Sequence, residues 1–307
     1  MKKKIIITGV GGYVGSSIAE NFLADGHKII GFGHDENFPV LREKFGDSVQ
    51  LVAGDITDEK KLIETLHGAD VVIHTASPTT EKFCIEKPWE ALQAIMYGTR
   101  AVANVMRELK VPLLIHFSTQ AVYMNFCARE LPLTEEMEPK PDTVYGALKL
   151  AAEHELANIP VFILRPANIY GKNPLGIERE NVISRFVDAA KKNVALTIKG
   201  DGLQHADYVH VRDVVCVVTI LVGSKLFDSL PVIYNVGSGV SHSVADIANI
   251  VIDVAKQSGF PKPMIQYEKE AGSKIAADRV LSIERMRALL PNFPTVSFEE
   301  GVKELFT

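Results

Sequence analysis

Short apolar runs alternate with helically spaced apolar positions through the first half of the chain. Residues 4–8 read as a strand, and residues 14–25 place Val14, Ile18, Ala19 and Phe22 on one side of a helix. Residues 28–32 and 49–53 are further strands, with a helix over 58–66 between them and the next run. Residues 70–74, apolar at Val71, Val72 and Ile73, make a fourth strand. A long helix over 89–110, a strand over 111–117, a helix over 144–158 and a strand over 161–164 complete the alternation. Strands apolar on both faces and separated by helices predict an α/β chain with a doubly wound parallel sheet, covered on both sides. Past Tyr170 the rhythm loosens. A loop at 171–176, a turn at 200–202, helices over 182–192, 244–257 and 283–290, and prolines at 261 and 263 predict a smaller lobe.

Composition narrows the partners. The 307 residues carry 33 Lys+Arg and 38 Asp+Glu, a net charge of −5, with 47% hydrophobic and 23% charged residues. This balance excludes a disordered chain and gives no global attraction to nucleic acid or to an anionic membrane. Cys84, Cys127 and Cys216 are odd in number and far apart, which argues against a disulfide framework or a zinc site. Three lysines at 2–4 precede an apolar run too short for a signal peptide, and no apolar stretch reaches the ~18 residues of a membrane span. The reading is cytoplasmic.

Thr8-Gly9-Val10-Gly11-Gly12-Tyr13-Val14-Gly15 joins the first strand to the first helix, with glycines at 9, 12 and 15. The first permits a sharp turn, the second lets backbone approach a pyrophosphate, and the third lets the helix pack on the sheet. The helix N-terminus offers free N–H groups to an anion. The segment therefore predicts dinucleotide binding. An acidic residue that would bond a ribose 2′-hydroxyl is missing at the end of the second strand, where Gly33 and His34 stand and Asp35 follows. That loss tilts the cofactor from NAD toward NADP, with His34, Arg42 or Lys44 available to a 2′-phosphate. Asp55, after the third strand, is placed to accept from an adenine amino group or to cap the next helix.

Tyr145 and Lys149 are four residues apart, so a helix brings phenol and ammonium to one face. A neighbouring cation lowers the phenol pKa and makes Tyr145 an acid or base for an alcohol. Phe117-Ser118-Thr119-Gln120 puts hydroxyls at the carboxyl edge of the sheet, where open α/β sheets bind ligands. His74 and His116 read as satisfied strand-end histidines, and Trp89 as a packing residue at a helix start. Cys127, with only Arg129 as a nearby cation in sequence, reads as an unreactive thiol.

These segments are joined by Arg165-Pro166-Ala167-Asn168-Ile169-Tyr170-Gly171, by Gly200-Asp201-Gly202-Leu203-Gln204, by Asp207-Tyr208-Val209-His210-Val211-Arg212-Asp213 and by Tyr234-Asn235-Val236-Gly237-Ser238-Gly239. In this order, over nearly the whole chain, they resemble the extended short-chain dehydrogenase/reductases, and among them the NAD(P)-dependent epimerase/dehydratase family acting on nucleotide sugars. The resemblance implies a Rossmann-type domain over 1–170, with 207–235 returning to it, and a substrate-binding C-terminal α/β lobe from 171–206 and 236–307. It implies that Thr119 bonds the sugar 4-oxygen, that Tyr145 exchanges the proton and that Lys149 holds the nicotinamide ribose. The cofactor would lie along Gly9, Gly12, Tyr13, Val14, Gly33, His34, Asp55, Ile56, Thr75, Ala76, Ser77, Ser118 and Pro166, besides Tyr145 and Lys149. The substrate would meet Ser77, Thr119, Gln120, Asn168 and His205. No metal is implied, and members usually form homodimers through the helices at 89–110 and 144–158.

Departures from the family pattern shape the expectation. Gln120-Ala121 stands where dehydratases carry Asp-Glu, which argues against 4,6-dehydration by that route. Ala206 occupies the place of a diphosphate-binding arginine, and the segment at 270–273 lacks a second one. His205, Arg179, Lys274 or Arg279 are the replacements within reach. Ile95 removes a cofactor-side amide, and Met124 adds bulk where a glycine is usual. The sequence thus predicts an NAD(P)-dependent oxidoreductase acting at carbon 4 of a sugar, as an epimerase or a 4-ketose reductase. The alternatives are an NADPH-dependent reductase of a non-nucleotide carbonyl compound and a non-catalytic dinucleotide sensor.

Overall fold

Ile5, Ile6 and Ile7 are all wholly buried, because the strand that carries them has helices against both of its faces. The protein is described by a computed structural model over residues 2–123, 131–177, 179, 181–224, 232–269 and 279–307. Its strands are β1 (Lys4–Thr8), β2 (Lys28–Gly33), β3 (Val49–Ala53), β4 (Val71–His74), β5 (Leu114–Phe117), β6 (Val161–Pro166), β7 (Asn168–Tyr170), β8 (Leu196–Lys199), β9 (His205–His210), β10 (Val232–Val236), β11 (Ser241–Ser243) and β12 (Ile265–Glu268). Its helices are α1 (Tyr13–Ala24), α2 (Phe38–Phe45), α3 (Glu59–Leu66), α4 (Glu81–Glu86), α5 (Pro88–Leu92), α6 (Gly98–Leu109), α7 (Val144–Glu155), α8 (Val182–Lys191), α9 (Val211–Gly223), α10 (Val244–Gln257), α11 (Glu284–Leu289) and α12 (Phe298–Glu304).

Seven strands form one parallel sheet in the order β10-β6-β5-β4-β1-β2-β3. Ile5 lies opposite Ile29 on one side and Val71 on the other. Side chains alternate between faces. Ile5 and Ile7 pack with Phe22 of α1 and Val214 and Val218 of α9, while Ile6, Val72 and Leu114 pack with Leu62 of α3 and Val102 and Met106 of α6. The doubly wound Rossmann architecture read from the sequence is therefore the one observed. Chain order reverses between β1 and β4, which opens a crevice at their carboxyl ends.

A smaller lobe has its own core around Phe186, Ile198, Val251 and Val302. It contains the sheet β11-β9-β7 and the pair β12-β8. The returning segment divides differently from the expected 207–235. Strand β10 joins the large sheet, and α9 packs on its face. Strand β9 stays in the small sheet, because Tyr208 pairs with Asn168 and because the wholly buried Asp207 carboxylate accepts from the amides of Ser238, Gly239 and Leu281. A side chain at Gly237 would place its Cβ 2.4 Å from Asp207 Oδ2, so this turn requires glycine.

Three other expectations change. The helix over 89–110 is interrupted, running as α5, a wider π turn over Gln93–Tyr97, and α6. Trp89 is 60% exposed and packs no core. The fifth strand starts only at Leu114, after a turn. Met124, Cys127, Arg129 and the segment 270–274 lie outside the described residues. Among the described residues no helix is long and apolar enough to cross a membrane.

Candidate active site

The glycine loop is built for close approach. Gly9 has φ +73°, and a Cβ there would lie 2.7 Å from the Ala76 amide nitrogen. A Cβ at Gly15 would meet Gly9 O at 2.3 Å. Helix α1 starts at Gly12 with no side chain capping it, so its first amides are left for an anion. These residues open onto a cleft of about 520 Å³ that also takes in Phe32, Gly33, His34, Asn37, Asp55, Ile56, Ala76 and Ser77. The fit to an extended dinucleotide rests on this chain of backbone and small side chains along the switch point of the sheet.

Not every expected contact lines the cleft. The Thr75 hydroxyl donates to Thr8 O at 2.7 Å and braces the loop from behind. The Tyr13 hydroxyl donates to Gly171 O at 2.5 Å, and Asn173 donates to Ser16 Oγ at 3.1 Å, so the loop after β7 is tied to the glycine turn. Val14 is half-buried in the first turn of α1, and Pro166 closes β6 opposite Val236. The Ser118 side chain turns away and donates to Glu153. Asp55 accepts from the Thr57 amide at 2.8 Å and hydroxyl at 2.6 Å, which holds its carboxyl below the usual range. Asp58, not Asp55, caps α3. Asp35 opens a short turn and is absent from the cleft wall. Sequence reasoning missed Asn37, Phe83, Glu90 and Gln93, which do line it. Glu90 and Gln93 sit where α5 passes into the π turn, which periodicity could not reveal.

Thr119, Tyr145 and Lys149 come together at the carboxyl edge. The Thr119 hydroxyl bonds the Tyr145 phenol. The wholly enclosed Lys149 ammonium donates to Phe117 O at 2.7 Å. Two of its three donors are left over among the described residues. Helix α7 is capped twice: Thr143 accepts from the Gly146 amide, and the Glu81 carboxylate from α4 accepts from the amides of Val144 at 3.0 Å and Tyr145 at 2.8 Å. Burial, not the lysine, dominates the phenol: the Tyr145 pKa is pushed up to about 12, against the pull of Arg179 and the Thr119 bond. The expected downward pull of Lys149 is absent. Burial instead lowers Lys149 itself to about 8, opposed by Glu153 and Cys84. The neutral phenol is thus the form present at physiological pH.

Around this centre, Gln120 is buried and its Oε1 has no partner among the described residues. Asn168 Nδ2 donates to Asp207 O at 3.1 Å, from β7 to β9 within the small sheet. His205 Nδ1 lies 2.8 Å from Leu203 O, on β9 away from the dinucleotide cleft. Arg179 lies over the Tyr13 ring, 6.0 Å from its centroid. His74 is satisfied by Thr8 and Thr99, but both ring nitrogens of the buried His116 lack partners among the described residues.

Residues 5–237 match the model of the NAD dependent epimerase/dehydratase family, and the chain belongs to that family. It is 26% identical to a human dTDP-D-glucose 4,6-dehydratase, covering 98% of this chain and 88% of that one. It is 27% identical to a UDP-glucose 4-epimerase of Mycolicibacterium smegmatis, covering 97% and 96%. Its fold matches a UDP-glucuronic acid 4-epimerase from Bacillus cereus, solved with UDP-glucuronic acid and NAD, with a TM-score of 0.82 at 23% identity over 99% of this chain and 98% of that one.

Proposed function

We propose that this protein transfers a hydride at carbon 4 of a nucleotide sugar, as an NAD(P)-dependent epimerase or 4-ketose reductase. The observation that carries this reading is the Tyr145 phenol bonded to Thr119, one helical turn from the buried Lys149 and at the same carboxyl edge of the sheet as the glycine loop. The cofactor supplies the hydride acceptor and donor. Thr119 orients the substrate oxygen, and Tyr145 gives or takes its proton. Lys149, with two donors left, holds the nicotinamide ribose. Gln120 Oε1 is available to a substrate hydroxyl or amide. Dehydration, the activity named for the human relative, finds no acid after Thr119, since Gln120 and Ala121 follow it.

A second reading, reduction of a carbonyl compound without a diphosphate, is favoured by Ala206, whose side chain has no charge to offer. A homodimer is favoured by Ile85, Trp89, Tyr97 and Val144, which leave exposed apolar surface on neighbouring turns from α4 to α7. Sedimentation at micromolar concentration should then give twice the chain mass, and Trp89→Lys should halve it. The reaction is tested by Tyr145→Phe, which should abolish turnover of nucleotide sugars and leave NADH and NADPH affinity unchanged. NAD+ retained through purification supports the epimerase, and an empty protein preferring NADPH supports the reductase. A protein that binds neither dinucleotide overturns the reading.

A further inference from the structure

A line of buried polar groups runs beneath the catalytic centre, and the roles proposed above leave it unused. Glu153 is one helical turn beyond Lys149 on α7, so both face the carboxyl end of β5. Its carboxylate accepts a bidentate pair from Arg165 on β6, Nε to Oε1 at 3.0 Å and Nη2 to Oε2 at 2.6 Å. The Ser118 hydroxyl donates to the same Oε1. Arg165 Nη1 donates to the Tyr123 hydroxyl at 3.0 Å, and Tyr123 donates to Asn235 Oδ1 on β10 at 2.8 Å. Asn235 Nδ2 then donates to Leu133 O at 2.9 Å. Ser118, Glu153, Arg165, Tyr123 and Asn235 are all buried.

Burying an ion pair yields little stability by itself, because desolvation consumes most of the Coulombic gain. The position of this one gives it another use. Ser118 immediately precedes Thr119, and Lys149 shares the helix with Tyr145. We propose that Glu153 is a positioning residue of the reaction, fixing the Ser118–Thr119 strand end against α7 and setting a negative charge beside Lys149. This rests on the catalytic reading of Tyr145 and Lys149 given above.

The groups that face Lys149 make the charge matter. Glu153 lies on its own helix and Cys84 on α4, and both favour the ammonium. His74 on β4 and His116 on β5 are neutral by burial, and Lys149 itself disfavours their protonation. Glu153 is thus the charged neighbour that offsets burial. Without it Lys149 would give up its proton nearer neutrality and would hold an anionic or hydroxyl ligand less well.

The test follows the Lys149 resonance in protein labelled with ¹³Cε-lysine, assigned with Lys149→Met. Glu153→Gln should lower the titration midpoint by about one pH unit, a tenfold loss of proton affinity, while Glu153→Asp keeps it near the native value. An unchanged midpoint in Glu153→Gln overturns the proposal. If that variant does not fold, the charge-free pair Glu153→Met with Arg165→Met replaces it; the same shift is expected, and an unmoved midpoint there overturns the proposal equally. The readout needs no turnover. A shifted Lys149 with an active Tyr145→Phe would sink the catalytic reading alone, and an unmoved Lys149 with an inactive Tyr145→Phe would sink the role of Glu153 alone.

Discussion

Gly33 is the residue on which the proposed cofactor choice turns. It ends β2 inside the cleft, next to His34, and no carboxylate from Asp35 reaches that wall. A Cβ added at Gly33 would meet only the Gly9 amide nitrogen at 4.0 Å, ordinary contact, so a larger side chain fits without moving the loop. An aspartate there would accept from a ribose 2′-hydroxyl and repel a 2′-phosphate. Gly33→Asp should therefore weaken NADPH relative to NADH by about tenfold or more, ~1.4 kcal/mol, measured by fluorescence titration of both reduced cofactors. Native protein that already prefers NADH by that margin would instead assign the ribose contact to another group, such as Asp55, whose carboxylate is on the cleft wall.

Among the elements, α7 carries Tyr145 and Lys149, on which the proposed reaction rests, and its N-terminus is held from outside. Glu81 receives two of its first amides, one of them from Tyr145 itself. An acidic group at this end also complements the helix dipole. Glu81→Ala should cost about 1 kcal/mol in urea unfolding. It should lower kcat more than it raises KM, because it loosens the backbone of Tyr145, the proposed acid and base. Equal activity of this variant and native protein would show that Thr143 alone suffices. This contact also marks the limit of what the sequence made legible. The β1–β6 alternation could be read because the centres of buried parallel strands are apolar on both faces, and the two glycine and tyrosine motifs because their spacing is their mechanism. Strands β7 and β11 have three residues each, too few to show a period. Helix α2 begins Phe38-Pro39 in a segment that offered no apolar stripe. The direction of the Tyr145 shift was missed for a related reason. Spacing brings Lys149 near, but the burial that outweighs it comes from tertiary packing, and i,i+4 geometry says nothing of that.

At the scale of the whole molecule, buried imidazoles tie stability to pH. His74 is held down to about 3 and His210 to about 4, both first by burial, and His116 lies well below the usual histidine range for the same reason. His210 Nε2 is 3.3 Å from Glu304 Oε2 yet makes no hydrogen bond among the described residues, and Arg212 adds to the burial that keeps it neutral. All three are neutral in the folded chain at pH 6.5, where an unfolded histidine is half protonated. The unfolded state therefore binds more protons than the folded one between about pH 6.5 and pH 4, and stability falls as pH falls through that window. At pH 5.5 each histidine contributes ~1.4 kcal/mol of this loss, about 4 kcal/mol in all. Urea midpoints measured from pH 8 to pH 5 should be level above pH 7 and drop steeply below 6.5. His116→Leu isolates one share. It removes a buried ring whose nitrogens have no partners among the described residues, so it should raise stability at neutral pH and flatten the acid slope by about one proton in three. A slope unchanged in that variant would mean that His116 binds its proton in the folded state.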